Sequence, residues 1–506
     1  LKKLFSYTLN SQLEKRYEDF RRSIEHPILT QEIIALSLVK KSILTQFGFD
    51  HQFEKIRNIS DFRKQVPVRD YNALKPYVEQ VLSGKEDVLW PGKIQWFAKS
   101  SGTTNDKSKF IPVSDESITD CHYKAGRDLI ATIVHNTPET SIYFGNGLVL
   151  GGSHEINKLN EKSSIGDLSA ILTQNLPFWA KLWQQPSLKT SIIADWEIKI
   201  DQLANEVINK NITHITGVPT WTMVLLNHLL EQSGKTNILD IWPNLELYVH
   251  GGVNFSPYLK SFKQLIPRED MNYVETYNAS EGFFGFQDQK NSTDLLLLLN
   301  HGIYYEFLPT SQADIENPIC IGLDEVEINK NYALIITTNS GLWRYMIGDT
   351  IRFTSLAPYR FRFSGRTRNF INAFGEELIL ENAEKAITFA CEQCDAQISD
   401  YTAAPIYLSN TSKGTHEWLI EFSKAPQDLD KFCFLLDNQL KELNSDYEAK
   451  RFKDIALSKP VVFALEQGTF YNWMKKRGKL GGQNKVPRLF NDRTYVDDIK
   501  GFVGIS

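Results

Sequence analysis

Five stretches of this 506-residue chain hold side chains whose types and spacing suit the handling of phosphate, a cation or a nucleotide. The first is Ser100-Ser101-Gly102-Thr103-Thr104-Asn105-Asp106-Lys107-Ser108-Lys109. Small hydroxyl residues around a glycine make a loop whose backbone N–H groups and hydroxyls can face an anion. Lys107 or Lys109 adds positive charge, and spacing does not choose between them. A P-loop needs a second glycine directly before Lys-Ser/Thr and a helix after it. Here the spacing is one residue short and a strand follows, so an ordinary polar hairpin turn is the plain alternative. The second stretch is Tyr277-Asn278-Ala279-Ser280-Glu281-Gly282. The Glu281 carboxylate suits Mg²⁺, a hard cation that prefers oxygen. Ser280 can touch a phosphate and Tyr277 has a face for a base. Solvated polar residues at a strand end are the alternative.

In the third stretch, Trp343-Arg344-Tyr345-Met346-Ile347-Gly348-Asp349, the aspartate can accept two hydrogen bonds from a ribose diol; it can equally be a turn aspartate. The fourth runs from Gly365-Arg366-Thr367-Arg368 to Gly375-Glu376-Glu377 and Glu384, with Arg366 able to pair with a phosphate or ribose. The fifth, 475–488, has six basic residues in 14: Lys475, Lys476, Arg477, Lys479, Lys485 and Arg488. A nucleic-acid patch, a solvated face and a mobile loop delivering one lysine to a phosphate all fit that spacing.

The elements that must carry these residues follow from hydrophobic periodicity. Leu13, Tyr17, Phe20 and Ile24 form one apolar stripe of an N-terminal helix. Ile33, Ile34, Leu36, Leu38 and Val39 predict a second helix, with Gly48 at its end. From 94 onward strand and helix alternate. Strands are expected at 94–98, 109–113, 147–150, 212–216, 245–249 and 273–277. Helices are expected at 196–208, after Pro219, and after Ser256 with Pro257 in its first position. Ser114 reads as a helix N-cap. Repeated β-α-β-α order implies a mostly parallel sheet covered by helices, with ligands beyond its C-terminal strand ends. The region 295–364 is strand-rich, notably at 334–338 and 350–354. Past Gly365 helix and strand alternate again, so a small α/β domain is expected from there on.

Hydrophobic residues at 42% and charged residues at 23% are globular values. With 56 Lys+Arg against 61 Asp+Glu the net charge is -5, which disfavours a nucleic-acid partner. Five cysteines argue against a disulfide scaffold. Cys391 and Cys394 form one Cys-x-x-Cys with no second pair at zinc-finger spacing, and neither His154-Glu155 nor His416-Glu417 extends to His-Glu-x-x-His. The greasiest run, 295–299, is far shorter than the roughly 18–20 apolar residues of a membrane helix, and no signal peptide is read. A soluble cytoplasmic enzyme without a membrane partner is expected.

In this order the motifs resemble those of the adenylate-forming superfamily of acyl-CoA synthetases, luciferases and peptide-synthetase adenylation domains. Within it the chain is identified as a member of the auxin-responsive (Gretchen Hagen three) acyl acid amido synthetases, specifically their bacterial members. The resemblance is carried by 100–104, by Tyr277 to Gly285, by His301-Gly302-Ile303-Tyr304-Tyr305-Glu306-Phe307, by Tyr345 to Asp349 and by Gln483 to Arg488, and spans about 90 to 490. Three departures stand out. Asn105-Asp106 precede the lysine where the superfamily usually has Thr-Gly. Arg368 stands at the hinge where Asp or Lys is usual. The turn around Ala279-Ser280 and Gly282 differs from plant members, so a plant hormone substrate does not carry over.

The resemblance implies an α/β fold. A large N-terminal adenylation domain, 1–365, has mostly parallel sheets and a β-rich subdomain; a small mobile α/β C-terminal domain spans 366–506. It also implies ATP and Mg²⁺, a small carboxylic acid and an amino acid as substrates, and a monomer. Ser100, Ser101, Gly102, Thr103 and Thr104 would hold the β- and γ-phosphates. Glu281 would bind Mg²⁺ with Ser280 near the α-phosphate, Asp349 would hold the ribose, and Arg366 would sit beside ribose or phosphate. Gly251-Gly252 would let adenine lie against backbone with Tyr277 on one face. Lys485 would stabilise the pentacoordinate phosphorus. The acyl pocket is expected near Trp221 and Met223. A thiol in place of the amine, giving an acyl-CoA or carrier-protein ligase, is the enzymatic alternative; a nucleotide-binding protein without turnover is the other.

Overall fold

The computed structural model describes residues 2–100, 109–151, 156–177, 181, 184–191, 193, 196–252, 255–310, 318–367, 370–371, 373, 376, 378–406, 414–451, 457–480, 484–490 and 492–505. These divide into two compact units. One comprises Leu1–Val218, Leu239–Gly252 and Glu269–Arg362; the other comprises Pro219–Ile238, Val253–Arg268 and Phe363–Ser506.

In chain order the first unit holds the strands β1 (Trp96–Ser100), β2 (Lys109–Val113), β3 (Asn146–Leu150), β4 (Asn157–Lys158), β5 (Ser164–Gly166), β6 (Gln184–Gln185), β7 (Ile212–Gly217), β8 (Leu247–Gly251), β9 (Asn272–Ala279), β10 (Gly282–Phe286), β11 (Leu295–Leu297), β12 (Ile303–Pro309), β13 (Asn331–Thr338) and β14 (Tyr345–Leu356), and the first half of β15 (Tyr359–Arg366), whose residues from Phe363 belong to the second unit. Eleven of them form one sheet in the order β12-β13-β14-β15-β11-β10-β9-β8-β7-β3-β6. Pairing is parallel from β6 through β9. It becomes antiparallel at β9/β10, β10/β11 and β11/β15, and again at β12/β13 and β13/β14. The chemistry explains the switch. Parallel strands need helical crossovers, such as Trp196–Val207 before β7. The two-residue connection between β9 and β10 allows only a hairpin. A second sheet, β2-β1-β5-β4, brings β1 against β2 with Ser100 opposite Lys109.

The six strands expected between 94 and 277 all form, shifted by zero to two residues at their starts, and those expected at 334–338 and 350–354 lie within the longer Asn331–Thr338 and Tyr345–Leu356. One expectation fails at its end. The second helix spans Pro27–Lys41 and stops well before Gly48, which lies inside a separate short helix, Gln46–Asp50. The Gly48 N–H donates to the Thr45 hydroxyl, so a new N-cap restarts the chain there. Thr45 and Ser42 are both buried, which fixes this corner. A continuous core runs under the sheet, with Trp343 packed among Phe47, Phe53 and Trp90.

The second unit holds the hairpin of β16 (Phe370–Ile371) and β17 (Leu378–Ile379) and a sheet of β18 (Gln397–Ile406), β19 (Thr415–Lys424) and β20 (Val461–Leu465). β19 lies between β18, antiparallel, and β20, parallel. Helices Leu380–Gln393 and Leu429–Leu443 bury Ile387, Phe432 and Leu436 against Trp418 and Ile420. The early segment Val253–Arg268 is tied into this unit. Ser261 donates to the Gln397 amide oxygen at 2.9 Å and Lys260 pairs with Asp395 at 2.5 Å.

Candidate active site

Ser280 and Glu281 are the two residues joining β9 to β10, and Gly282 faces Ala279 across the ladder. Both polar residues are buried, at 6% and 8% exposure, which an ordinary solvated turn would not require. A Cβ at position 282 would lie 2.5 Å from Ile303 Cδ1 and 3.2 Å from Phe284 Cε1, so a larger residue there would force those side chains to shift. Three residues before Ser280, Tyr277 donates its hydroxyl to the Asp349 carboxylate at 2.5 Å. Its ring is held edge-on by Phe284 and Phe361. Asp349 is 6% exposed on β14, directly after Gly348, whose φ of +94° favours glycine. Thus residues 277, 280, 281 and 349, from two separate motifs, share one end of the sheet.

Tyr345, at the start of β14, is fully buried, and its phenol is pushed well above its ordinary pKa. Burial is the main cause; the charges of Glu281, Tyr71, Asp349 and Asp70 add to it. The Lys109 ammonium lies 3.4 Å from this hydroxyl and 5.8 Å from the Tyr71 ring centroid. Lys109 is therefore the described lysine placed towards Tyr345. Ser100 ends β1; Ser101, Gly102, Thr103, Thr104 and Lys107 lie outside the described residues. Gly251 ends β8 beside β9. A Cβ there would sit 2.4 Å from the Thr276 carbonyl oxygen, and Gly252 follows with φ +84°. The Thr276 hydroxyl donates to the His250 carbonyl, locking the same crossing.

Arg366 and Lys485 belong to the second unit, Arg366 at the end of β15 and Lys485 exposed in a loop. Three residues beyond Lys485 the loop is anchored. Arg488 pairs with Asp400, donates to the Tyr258 hydroxyl at 3.1 Å, and lies 4.5 Å from the Tyr401 ring. The backbone of 488–490 also pairs with Ala403. Trp221 is buried in this unit with its ring 6.5 Å from Tyr471, and Met223 is partly buried. The hinge candidate Arg368 lies outside the described residues. Cys391 and Cys394 sit at the end of Leu380–Gln393, and among the described residues no cluster of three or more His, Cys, Asp or Glu could hold a metal.

Sequence reading missed one supporting network. Arg344 has φ +44° and forks onto both Glu306 oxygens, at 2.7 and 3.0 Å, while donating to the Val66 and Arg63 carbonyls. Glu306 also receives Arg63 at 2.9 Å. This joins the His301–Phe307 and Trp343–Asp349 motifs. Each motif was visible, but an ion pair across 38 residues has no local signature.

Three domain families match this chain: the GH3 family N-terminal domain over residues 16–271, the central domain over 296–366 and the C-terminal domain over 381–494. The chain belongs to the GH3 family. Indole-3-acetic acid-amido synthetase GH3.4 of Arabidopsis thaliana is 22% identical, with 92% of this chain and 89% of that protein covered. The 4-substituted benzoates-glutamate ligase GH3.12 of the same plant is 21% identical, with 95% and 96% covered. Among solved structures, the GH3.15 acyl acid amido synthetase in complex with 2,4-DB superposes with a TM-score of 0.79 at 16% identity, covering 97% of this chain and 96% of that one. A 2-hydroxyisobutyryl-CoA ligase in the postadenylation state superposes with a TM-score of 0.54 at 12% identity, covering 98% and 92%. These likenesses show that the chain shares the fold of those two enzymes. No helix among the described residues is long and apolar enough to cross a membrane.

Proposed function

We propose that this GH3 family member is an ATP-dependent acyl acid amido synthetase. The observation that carries the reading is the gathering of Ser280 and Glu281, on a buried hairpin turn, beside the Tyr277–Asp349 hydrogen bond. A carboxylate cannot acylate directly because oxide is its leaving group. Its oxygen attacks the α-phosphorus of ATP, an O–P bond forms, the α–β bridge breaks, and pyrophosphate leaves. An amino acid nitrogen then attacks the acyl carbonyl, loses a proton, and expels AMP. Such transfers depend on positioning and on charge placed where charge develops.

Residues 100–104 hold the β- and γ-phosphates, Ser280 contacts the α-phosphate, and Asp349 accepts from the ribose hydroxyls with Tyr277 fixing its orientation. Gly251 and Gly252 let adenine approach backbone. Arg366 and Lys485 supply positive charge, Lys485 at the phosphorus. Glu281 fits Mg²⁺: a hard ion takes one or two carboxylate oxygens and completes its shell with phosphates and water. When bound, the ion neutralises charge on the transferring phosphates. Residues 366–506 act as a mobile domain turning about Arg368 between the two half-reactions. The protein works as a cytoplasmic monomer on a small carboxylic acid and an amino acid. The test is ATP–pyrophosphate exchange with a panel of carboxylic acids. Exchange that requires an acid supports adenylation; binding of ATP without exchange under any acid would count against it.

A further inference from the structure

Between β2, which leaves the serine–threonine loop, and the helix Tyr123–Asn136, the chain makes a π-helical turn, Ser117–His122. Such wide turns are rare and concentrate at functional sites. Ser114 starts it: its hydroxyl accepts the Ser117 N–H at 3.0 Å and donates to the Asn339 carbonyl at 2.6 Å. The turn therefore hangs from fixed structure. Its last two residues reach the β9–β10 hairpin. The Cys121 sulfur accepts the Phe283 N–H at 3.3 Å. His122 Nδ1 lies 3.1 Å from the Asn278 side-chain oxygen.

Asn278 and Phe283 face each other across the ladder, and the four residues between them include Ser280 and Glu281. Both ends of the turn are thus gripped by adjacent residues of one element. His122 is 4% exposed and its Nε2 has no hydrogen-bond partner among the described residues. An apolar side chain would fill that space without stranding a lone pair. The imidazole is explained by its one engaged atom: Nδ1 carries the proton and donates it to Asn278. Burial lowers the pKa of this histidine to about 4 although the Asn278 hydrogen bond raises it, so the ring is neutral near pH 7.

We propose that Cys121 and His122 are positioning residues that clamp the Ser280–Glu281 turn to the strand leaving the serine–threonine loop. The consequence for catalysis rests on the reading of Ser280 and Glu281 as phosphate and Mg²⁺ contacts; the clamp itself does not. Hydrogen–deuterium exchange of the peptide spanning 277–286 tests it, with β13 as the reference in the same unit. His122→Ala and Cys121→Ala should speed exchange at 278–283 by about tenfold while β13 stays at the wild-type rate. His122→Asn, whose amide N–H replaces Nδ1–H, should restore protection, and His122→Gln should not.

In parallel, the Mg²⁺ concentration for half-maximal pyrophosphate exchange should rise several-fold in His122→Ala and return in His122→Asn. Unchanged turn exchange in both alanine variants would overturn the clamp. So would equal acceleration of β13, which would mark ordinary support of the core, or rescue by Gln and not Asn, which would make Nε2 the working atom. If wild-type protein shows no acid-dependent exchange of pyrophosphate, the adenylation reading falls, and the deuterium result still decides the clamp.

Discussion

The Tyr277 hydroxyl spends its hydrogen bond on a buried carboxylate rather than on solvent, and that choice sets what its removal should do. Tyr277→Phe keeps the ring contacts with Phe284 and Phe361 and deletes only the 2.5 Å bond to Asp349. Hydrogen bonds to charged groups are worth about 1.5–3 kcal/mol, so KM for ATP should rise roughly 10- to 100-fold with a smaller change in kcat. Steady-state kinetics at saturating acid would measure the split. Glu281→Gln keeps the shape of the turn and removes its charge. Half-maximal activity should then need on the order of tenfold more Mg²⁺. Lys485→Ala removes the charge proposed to act on the phosphorus; a single such stabiliser is worth about 3–4 kcal/mol, so adenylation should slow by roughly 10²–10³-fold with ATP binding retained. Near-normal exchange in that variant would exclude the role given to Lys485. These candidates stand out in the sequence because a glutamate, an aspartate after glycine and a lysine among glycines are conspicuous. The Tyr277–Asp349 bond does not, since it closes across 72 residues.

Elements explain how such residues stay in place. The parallel stretch of the sheet was readable because short apolar runs such as Ile212–Gly217 are bounded by helices with their own caps and prolines. The early stop of the second helix was not, because Thr45 restarts the chain before Gly48 is reached. The π-helical turn, Ser117-Ile118-Thr119-Asp120-Cys121-His122, was not legible, because its contacts with Asn278 and Phe283 lie more than 150 residues away in sequence. In the second unit the 484–490 loop owes its position to Arg488. Arg488→Lys keeps a charge and loses the fork that serves Asp400 and Tyr258. Adenylation should fall at least tenfold while ATP affinity changes little, because the loop bearing Lys485 loosens while the residues proposed to contact the nucleotide are left untouched. Equal losses in both would indicate general destabilisation.

At the scale of the whole molecule, buried histidines set a limit on the acid side. His122 and His250 are 4% and 3% exposed, and burial lowers their pKa to about 4 and about 3 from the ordinary 6.5. In the unfolded chain each binds a proton near pH 6.5; in the folded chain each refuses it until far lower pH. The unfolded state therefore binds more protons in this window, and stability rises with pH there. The contribution is complete above about pH 6.5 and is lost as pH falls towards 4, at about 1.4 kcal/mol per pH unit for each histidine. Thermal unfolding followed from pH 7 to pH 4.5 should show this loss, and His122→Asn should lessen it by that one histidine's share. A melting temperature constant over that range would exclude the neutral buried state. None of this was foreseeable from composition, where ten histidines carry no mark of burial.

The central claim is amide formation by way of an acyl-adenylate. It is tested most directly by incubating the purified protein with Mg-ATP, pooled carboxylic acids, amino acids and coenzyme A together, and identifying products by mass spectrometry. A new acid–amino acid amide appearing with an equal amount of AMP is the expected result. A thioester with AMP, and no amide, would contradict it.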